Sequence, residues 1–508
     1  MTATGCGTSR HSNPVPPEAG STGQAPPAGA SVLQFHARAN RDGLFADPAL
    51  TQLAAQGMHL DPTFQGAVQG NVYASPLYVE SGPGGRGAFY VATEDDRVYA
   101  LDETTGDPIW QVALGTPATQ TGAGCGNISP IGITGTPAID LASRVIVFDA
   151  VTADASGAIA VHTVHALSID DGSERWRLDV STVGGQNGEV FASQEQNQRS
   201  AVLIAGDTAY VAFGGHAGDC GDFRGWIMAV PLGDPSAARA FATATRGAGF
   251  WAAGGPASDG ADVYAVSGNS VEGTGSPNWA GSECVYRFGL DLSQSSSGDD
   301  FWVPDDWPAL DDGDLDLGGS GALVIDRPGA TPSALLVAFG KDGNAYLLDR
   351  AHLGGLAAAP LARAHVSSGE IINAAAWASV PGGTFVAVHS SHGGTGIDCP
   401  AGQSGDLVVL KVDPAAPQPF ATAWCADSRG QGSPIVTTSD GARDALVWTA
   451  GAEGDARLHA WDLATGAPVF TGGAPSDALP NVRRFTTPIV VHGRVIVAGD
   501  GRLYALRT

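Results

Sequence analysis

The chain has 508 residues, of which 71 are glycine and 32 proline, with only 15% charged side chains and a formal net charge of −26. A surface this acidic, with no run of Lys or Arg, excludes a nucleic-acid groove, which needs clustered cations to displace phosphate counterions. No apolar stretch reaches the ~18 residues of a membrane helix, and a glycine-rich, charge-poor composition points to short strands joined by tight turns.

Residues 1–31 read as a disordered Ser/Gly/Pro-rich tether without the apolar segment of a signal peptide. Within it, Ala3-Thr4-Gly5-Cys6 loosely resembles the end of a bacterial lipobox, which would make Cys6 a lipid anchor. A lead-in over residues 32–70 follows, with a short helical piece around Ala49 to Gly57.

Repeat units then take over, at residues 71–115, 131–180, 201–245, 250–302, 317–366, 371–426, 431–472 and 483–508. Three contain one phrase, a strand, an Asp-to-Gly turn and a second strand carrying an aromatic residue. It runs Tyr99-Ala100-Leu101-Asp102 to Gly106 and Trp110, then His165-Ala166-Leu167 to Gly172 and Trp176, then His459-Ala460-Trp461-Asp462 to Gly466 and Phe470. Shorter echoes are Ala345 to Arg350 and Leu503 to Leu506. Thr/Ser-Pro before an apolar run, as at Ser75-Pro76, Thr136-Pro137, Ser433-Pro434 and Thr487-Pro488, marks the start of an inner strand.

Units of about 40–55 residues that alternate strands and turns match propeller blades. The fold class is therefore all-β, a single eight-bladed β-propeller over residues 32–508, with seven blades as the alternative count. The last unit stops after three strands, so Thr63 to Val68 is expected to supply the missing outer strand and close the ring through the two termini.

The six cysteines form no CxxC pair, which argues against zinc and thioredoxin chemistry. They lie in loop-like segments suited to disulfides in an oxidising compartment. Cys399 and Cys425 are paired first, while Cys125, Cys220 and Cys284 supply one further bridge and one leftover thiol.

The motif Tyr99-Ala100-Leu101-Asp102, Thr105-Gly106, Trp110 resembles the tryptophan-docking repeat of the quinoprotein, or PQQ-like, propellers. That family holds PQQ-dependent alcohol dehydrogenases and non-catalytic relatives. The resemblance implies that Trp110 and Trp176, with Phe470 as a substitute, tie neighbouring blades together. It also implies sites. Asn269, in Ser267-Gly268-Asn269, carries over as a calcium ligand, Asp305 as the catalytic base and Lys341 as the quinone contact. Asp219 stands in for the calcium Glu, whose expected position falls at Cys220, and neither an adjacent Cys-Cys bridge nor a CxxCH haem motif is present.

Other candidates come from composition. Asp312, Asp314 and Asp316 alternate on one acidic stretch and could offer oxygens to calcium. His389 and His392 could share a metal with Asp398. Trp251, with Phe250, Trp279 and Trp377, sits where a propeller channel opens and could stack on a ring. The resulting expectation is an extracytoplasmic, monomeric propeller that acts as a binding or protein-interaction scaffold without a cofactor. Its partner would be a protein, small molecule or carbohydrate at the propeller face. The alternative is an oxidoreductase using PQQ and calcium.

Overall fold

The computed structural model describes residues 31–121, 124–270, 279–295 and 298–508, so Cys6 and all of the expected tether but Ser31 fall outside the described residues. Its strands form eight sheets, each with four strands as its basic unit, arranged as the blades of a propeller. Blade 1 shows the plan: Leu77–Val79 innermost, then Ala88–Thr93, Arg97–Asp102 and Pro108–Ala113, each antiparallel to the one before. The proline of each Thr/Ser-Pro pair stands just ahead of its inner strand, at Leu77, Ala138, Ile435 and Ile489, where no ladder donor is lost. Apolar side chains from adjacent blades interleave. One buried cluster joins Leu335, Val337 and Leu347 of blade 5 to Val386, Val408 and Leu410 of blade 6.

The repeated phrase builds its turn with local hydrogen bonds. Asp102 Oδ1 accepts from the N–H groups of Thr104 and Thr105 at 2.9 and 3.1 Å, and Gly106 follows at φ 73°. Docking follows the expected plan for Trp110, whose indole donates to the Ile169 carbonyl of blade 2 at 3.0 Å beside Gly172. Between blades 6 and 7 the same post is held by Trp424, which donates to the Leu463 carbonyl at 2.7 Å and packs on Gly466.

The ring closes through the termini, but with a shifted strand. His59–Leu60 pairs with the final strand Arg502–Arg507, and Ala67 adds a single bridge to Arg502. The expected strand at Thr63 to Val68 does not form because Phe64 turns inward, where its ring would meet any side chain at Gly106 of blade 1.

The rest of the lead-in lies along the propeller axis. Val32 exchanges hydrogen bonds with Tyr78 of blade 1, and Leu33 accepts from Ile139 of blade 2. Gln34 clasps Ile204 of blade 3 through both amide atoms. Ala39 accepts from Ser258 of blade 4, Asp42 from Trp377 of blade 6 and Gly43 from Val436 of blade 7. Leu44–Ala46 then adds a parallel fifth strand inside blade 7, and Asp47 takes the Gly493 N–H of blade 8. At the centre Arg41 is buried, with its guanidinium donating to the carbonyls of Pro256, Phe35 and Val202 at 2.9–3.1 Å.

The expected Cys399–Cys425 bridge is present; of the other three, Cys125 pairs with Cys220, and Cys284 is left as a buried free thiol.

Candidate functional site

Two kinds of loop converge at one mouth of the channel. The first leaves the second strand of a blade, and it carries His216 after Thr208–Gly215, Asn269 after Asp262–Val266 and Lys341 after Ala334–Phe339. The second enters the next blade, and it carries Trp251 ahead of blade 4 and Asp316 ahead of blade 5. Together they line a cavity of about 350 Å³, with Arg199, Asp219, Asp314, Glu370, His392 and Phe485 also on its wall. That size lies within the ordinary range of small-molecule sites.

Asp316 organises the floor. Its Oδ1 accepts the Asn269 backbone N–H at 2.6 Å, and its Oδ2 pairs with the Lys341 ammonium. Lys341 Nζ also donates to Asp314 Oδ1 at 2.8 Å. Burial alone would lower the Lys341 pKa, but the Asp316 and Asp314 carboxylates outweigh it and hold the ammonium above its usual range. Gly268 makes this approach possible, since a Cβ there would fall 2.0 Å from Asp316 Oδ1.

Trp251 receives two cations. Lys341 Nζ and the Arg199 guanidinium each lie 5.3 Å from its ring centre, and Arg199 also stands 5.9 Å from Phe485. Arg199 is half-buried in the cavity wall, and burial lowers its pKa. Its one direct hydrogen bond to the backbone is to the Gly215 carbonyl at 3.3 Å, and its buried Nε has no partner. Burial also lowers His216, to about 4, so its imidazole is neutral at physiological pH. Asp219 is pushed upward by burial and then by the charges of Asp316 and Asp314. On the far wall His392 pairs with Glu370 at 2.9 Å. The Cys125–Cys220 bridge lies at the rim, beside Gly218.

The sequence candidates thus divide. Trp251, Asn269, Lys341, Asp219, Asp314 and Asp316 share this cavity. Asp305 does not. It stands outside the cavity lining, its side chain 80% exposed and 3.8 Å from Arg363, because the chain turns at once into the helix Trp307–Gly313 and carries Asp305 to the surface. The same helix holds Asp312 in an exposed position, so the expected three-acid loop is not formed. His389 is buried against Asn373 and Asp406, while His392 faces Glu370, and the two do not converge with Asp398. Among the described residues no three His, Cys, Asp or Glu side chains gather in metal-holding geometry.

Sequence reasoning missed Arg199, His216 and Phe485, and it gave Asp316 only a place in an acidic stretch. The available signal was positional. Residues just after a second strand, or just ahead of an inner strand, point at the channel mouth, and Asp316 stands one residue before Leu317-Gly318-Gly319 at the entry to blade 5.

The family model described as outer membrane protein assembly factor BamB matches residues 74–315. No curated protein matches the chain. Among solved structures, the quinohemoprotein alcohol dehydrogenase from Comamonas testosteroni is similar at 14% identity and TM-score 0.64, with 94% of this chain and 80% of that one covered. The quinohemoprotein alcohol dehydrogenase ADHIIG from Pseudomonas putida HK5 is similar at 12% identity and TM-score 0.60, covering 94% and 75%. A europium-containing methanol dehydrogenase is similar at 13% identity and TM-score 0.62, covering 94% and 89%. At such identities the likeness is one of fold.

Proposed function

We propose that this chain, a β-propeller of the PQQ-like repeat family, holds a planar quinone-type cofactor in the Trp251 cavity and works as an oxidoreductase. One observation carries the reading: Trp251, Asn269, Lys341 and Asp219 meet in a single cavity, with the Asp316 carboxylate against Asn269. An aromatic ring flanked by Lys341 and Arg199 suits a flat ligand with acidic substituents.

The residues fit the organic part of such a cofactor and not a calcium shell. Calcium takes roughly six to eight oxygen ligands. Here Asp314 and Asp316 are engaged by Lys341, which leaves too few free oxygens for such a shell. A bound quinone would accept the two electrons of the oxidation. Lys341 places a positive charge beside the ring, Asn269 offers its side-chain amide, and Asp316 is the proton acceptor in the role first given to Asp305.

A second reading, a binding scaffold whose partner covers the propeller face, is favoured by the match to the assembly-factor model over residues 74–315. Two disulfides support an extracytoplasmic location under either reading.

A thermal-shift titration with PQQ, with and without calcium, separates the two. A ligand at a hundred times its Kd adds about 2.7 kcal/mol to stability. The oxidoreductase reading expects a shift in the wild type that Lys341→Ala abolishes, together with dye reduction on adding an alcohol. If saturating PQQ leaves the melting curve in place, the scaffold reading stands and the enzyme reading falls.

A further inference from the structure

A second group of functional atoms lies outside the cavity just described, at the junction of blades 1 and 2. The turn after Ala88–Thr93 carries Glu94 and Asp96, and both are completely buried. Among the described residues neither forms an ion pair with Lys, Arg or His. Glu94 Oε2 accepts the Gly132 N–H at 2.7 Å. Both carboxylate oxygens of Asp96 are buried without a hydrogen-bond partner, as is the hydroxyl of Thr93. The oxygens converge. A Cβ on Gly132 would fall 2.4 Å from the Glu94 carbonyl oxygen and 2.7 Å from Asp96 Oδ1. Nearby, Asp149 gives one oxygen to His162 at 2.6 Å, and its other oxygen is buried without a partner. The loop that brings Gly132 here is sealed by Ala118, Ile128, Ile131, Val151 and Ile159.

Carboxylates withdrawn from water need a positive charge or a hydrogen-bond donor, and a lone buried one costs several kcal/mol. Asp96 has neither among its described neighbours. Oxygens from two carboxylates, a carbonyl and a hydroxyl are the donor set of a hard cation. The close approach of Gly132, which has no side chain, leaves no room for an organic group beside these oxygens.

We propose that Glu94 and Asp96 bind a hard divalent cation, calcium being the best match, with the Glu94 carbonyl and the Thr93 hydroxyl as further ligands. The site joins blade 1 to blade 2 and owes nothing to the Trp251 cavity, none of whose lining residues it uses. Its role is to lock the two blades where Ala118 pairs with Ile131.

The test is equilibrium dialysis of chelator-treated full-length protein against calcium, with bound metal counted by atomic emission and no quinone present. Wild type is expected to retain one ion, and calcium should raise its melting temperature. Asp96→Asn and Glu94→Gln should weaken binding on the order of a hundredfold, since each removes one of two charged ligands. Asp96→Asn also removes an uncompensated buried charge, so the metal-free variant should melt no lower than wild type. Asp316→Asn, in the separate cavity, should keep the ion. The proposal is overturned if wild type retains no calcium at millimolar concentration, if Asp96→Asn retains as much as wild type, or if Asp316→Asn alone loses it.

Discussion

The imidazole of His36 is buried in the axial segment, stacked on Phe35 at 4.4 Å with Nδ1 3.4 Å from the Arg41 carbonyl. Burial drives its pKa down from 6.5 to about 3, with the Arg41 charge acting in the same direction. Folded His36 therefore stays neutral to about pH 3, whereas an unfolded His36 takes up a proton below about 6.5. Between these values the unfolded state binds more protons, so stability is complete above the window and falls as pH drops through it. The full effect is on the order of 5 kcal/mol. His36→Phe should flatten the decline in melting temperature between neutral and acidic pH by a comparable amount; an unaltered slope would mean that other groups set the acid sensitivity. A second residue tests the cavity floor. Gly268→Ala places a methyl group against Asp316 and the Trp251 indole. It should weaken ligand binding by roughly tenfold or more through misplacement alone, while far-UV circular dichroism stays that of the wild type. Unchanged affinity would show that Asp316 is not needed in its observed position.

At the scale of the element, each docking aromatic bolts one blade to the next, and the bolts differ in burial. Trp424 is fully buried, whereas Trp110 is only partly so. Trp424→Ala should cost about 3–5 kcal/mol in denaturant unfolding, the usual price of truncating a buried aromatic. Trp110→Ala should cost less, and equal costs would argue that exposure does not set the strength of the joint. The strands, the Asp-to-Gly turns and the Thr/Ser-Pro starts were legible because their causes lie within a few residues: an Asx turn at Asp102, a positive φ at Gly106 and a proline ahead of a ladder. Trp424 was not legible as a bolt, because the phrase that identifies the others is missing around it. The same boundary separates Asp305 from Asp316. Their sequence surroundings are similarly acidic, and only the intervening helix Trp307–Gly313 decides which one reaches the channel. The shift of the closing strand to His59–Leu60 has the same origin, since Phe64 finds its place only against a blade distant in sequence. Cavity residues carried by the resemblance were found together, while Arg199 and Phe485, brought in from other blades, carried no motif.

For the whole molecule, the axial segment is the shared joint of the ring. It makes hydrogen bonds to blades 1, 2, 3, 4, 6, 7 and 8, and Arg41 spends three of its donors on carbonyls at the centre. Arg41→Met keeps much of the volume but strands those carbonyls, and should cost about 3–5 kcal/mol. Differential scanning calorimetry should show the main transition moving down as one peak. A transition unmoved by the substitution would mean the ring stands without its centre. The segment also has a kinetic corollary. Phe35 and Arg41 lie against Gly254, Ser320 and Ala374, and the neighbouring Gly319 packs on Trp251 of the cavity. The axial segment thus places packed chain on the inner side of the cavity, away from its mouth. Under the oxidoreductase reading reactant and product would share that mouth, and any macromolecule that settles on that face would act as a stopper for the chamber beneath it.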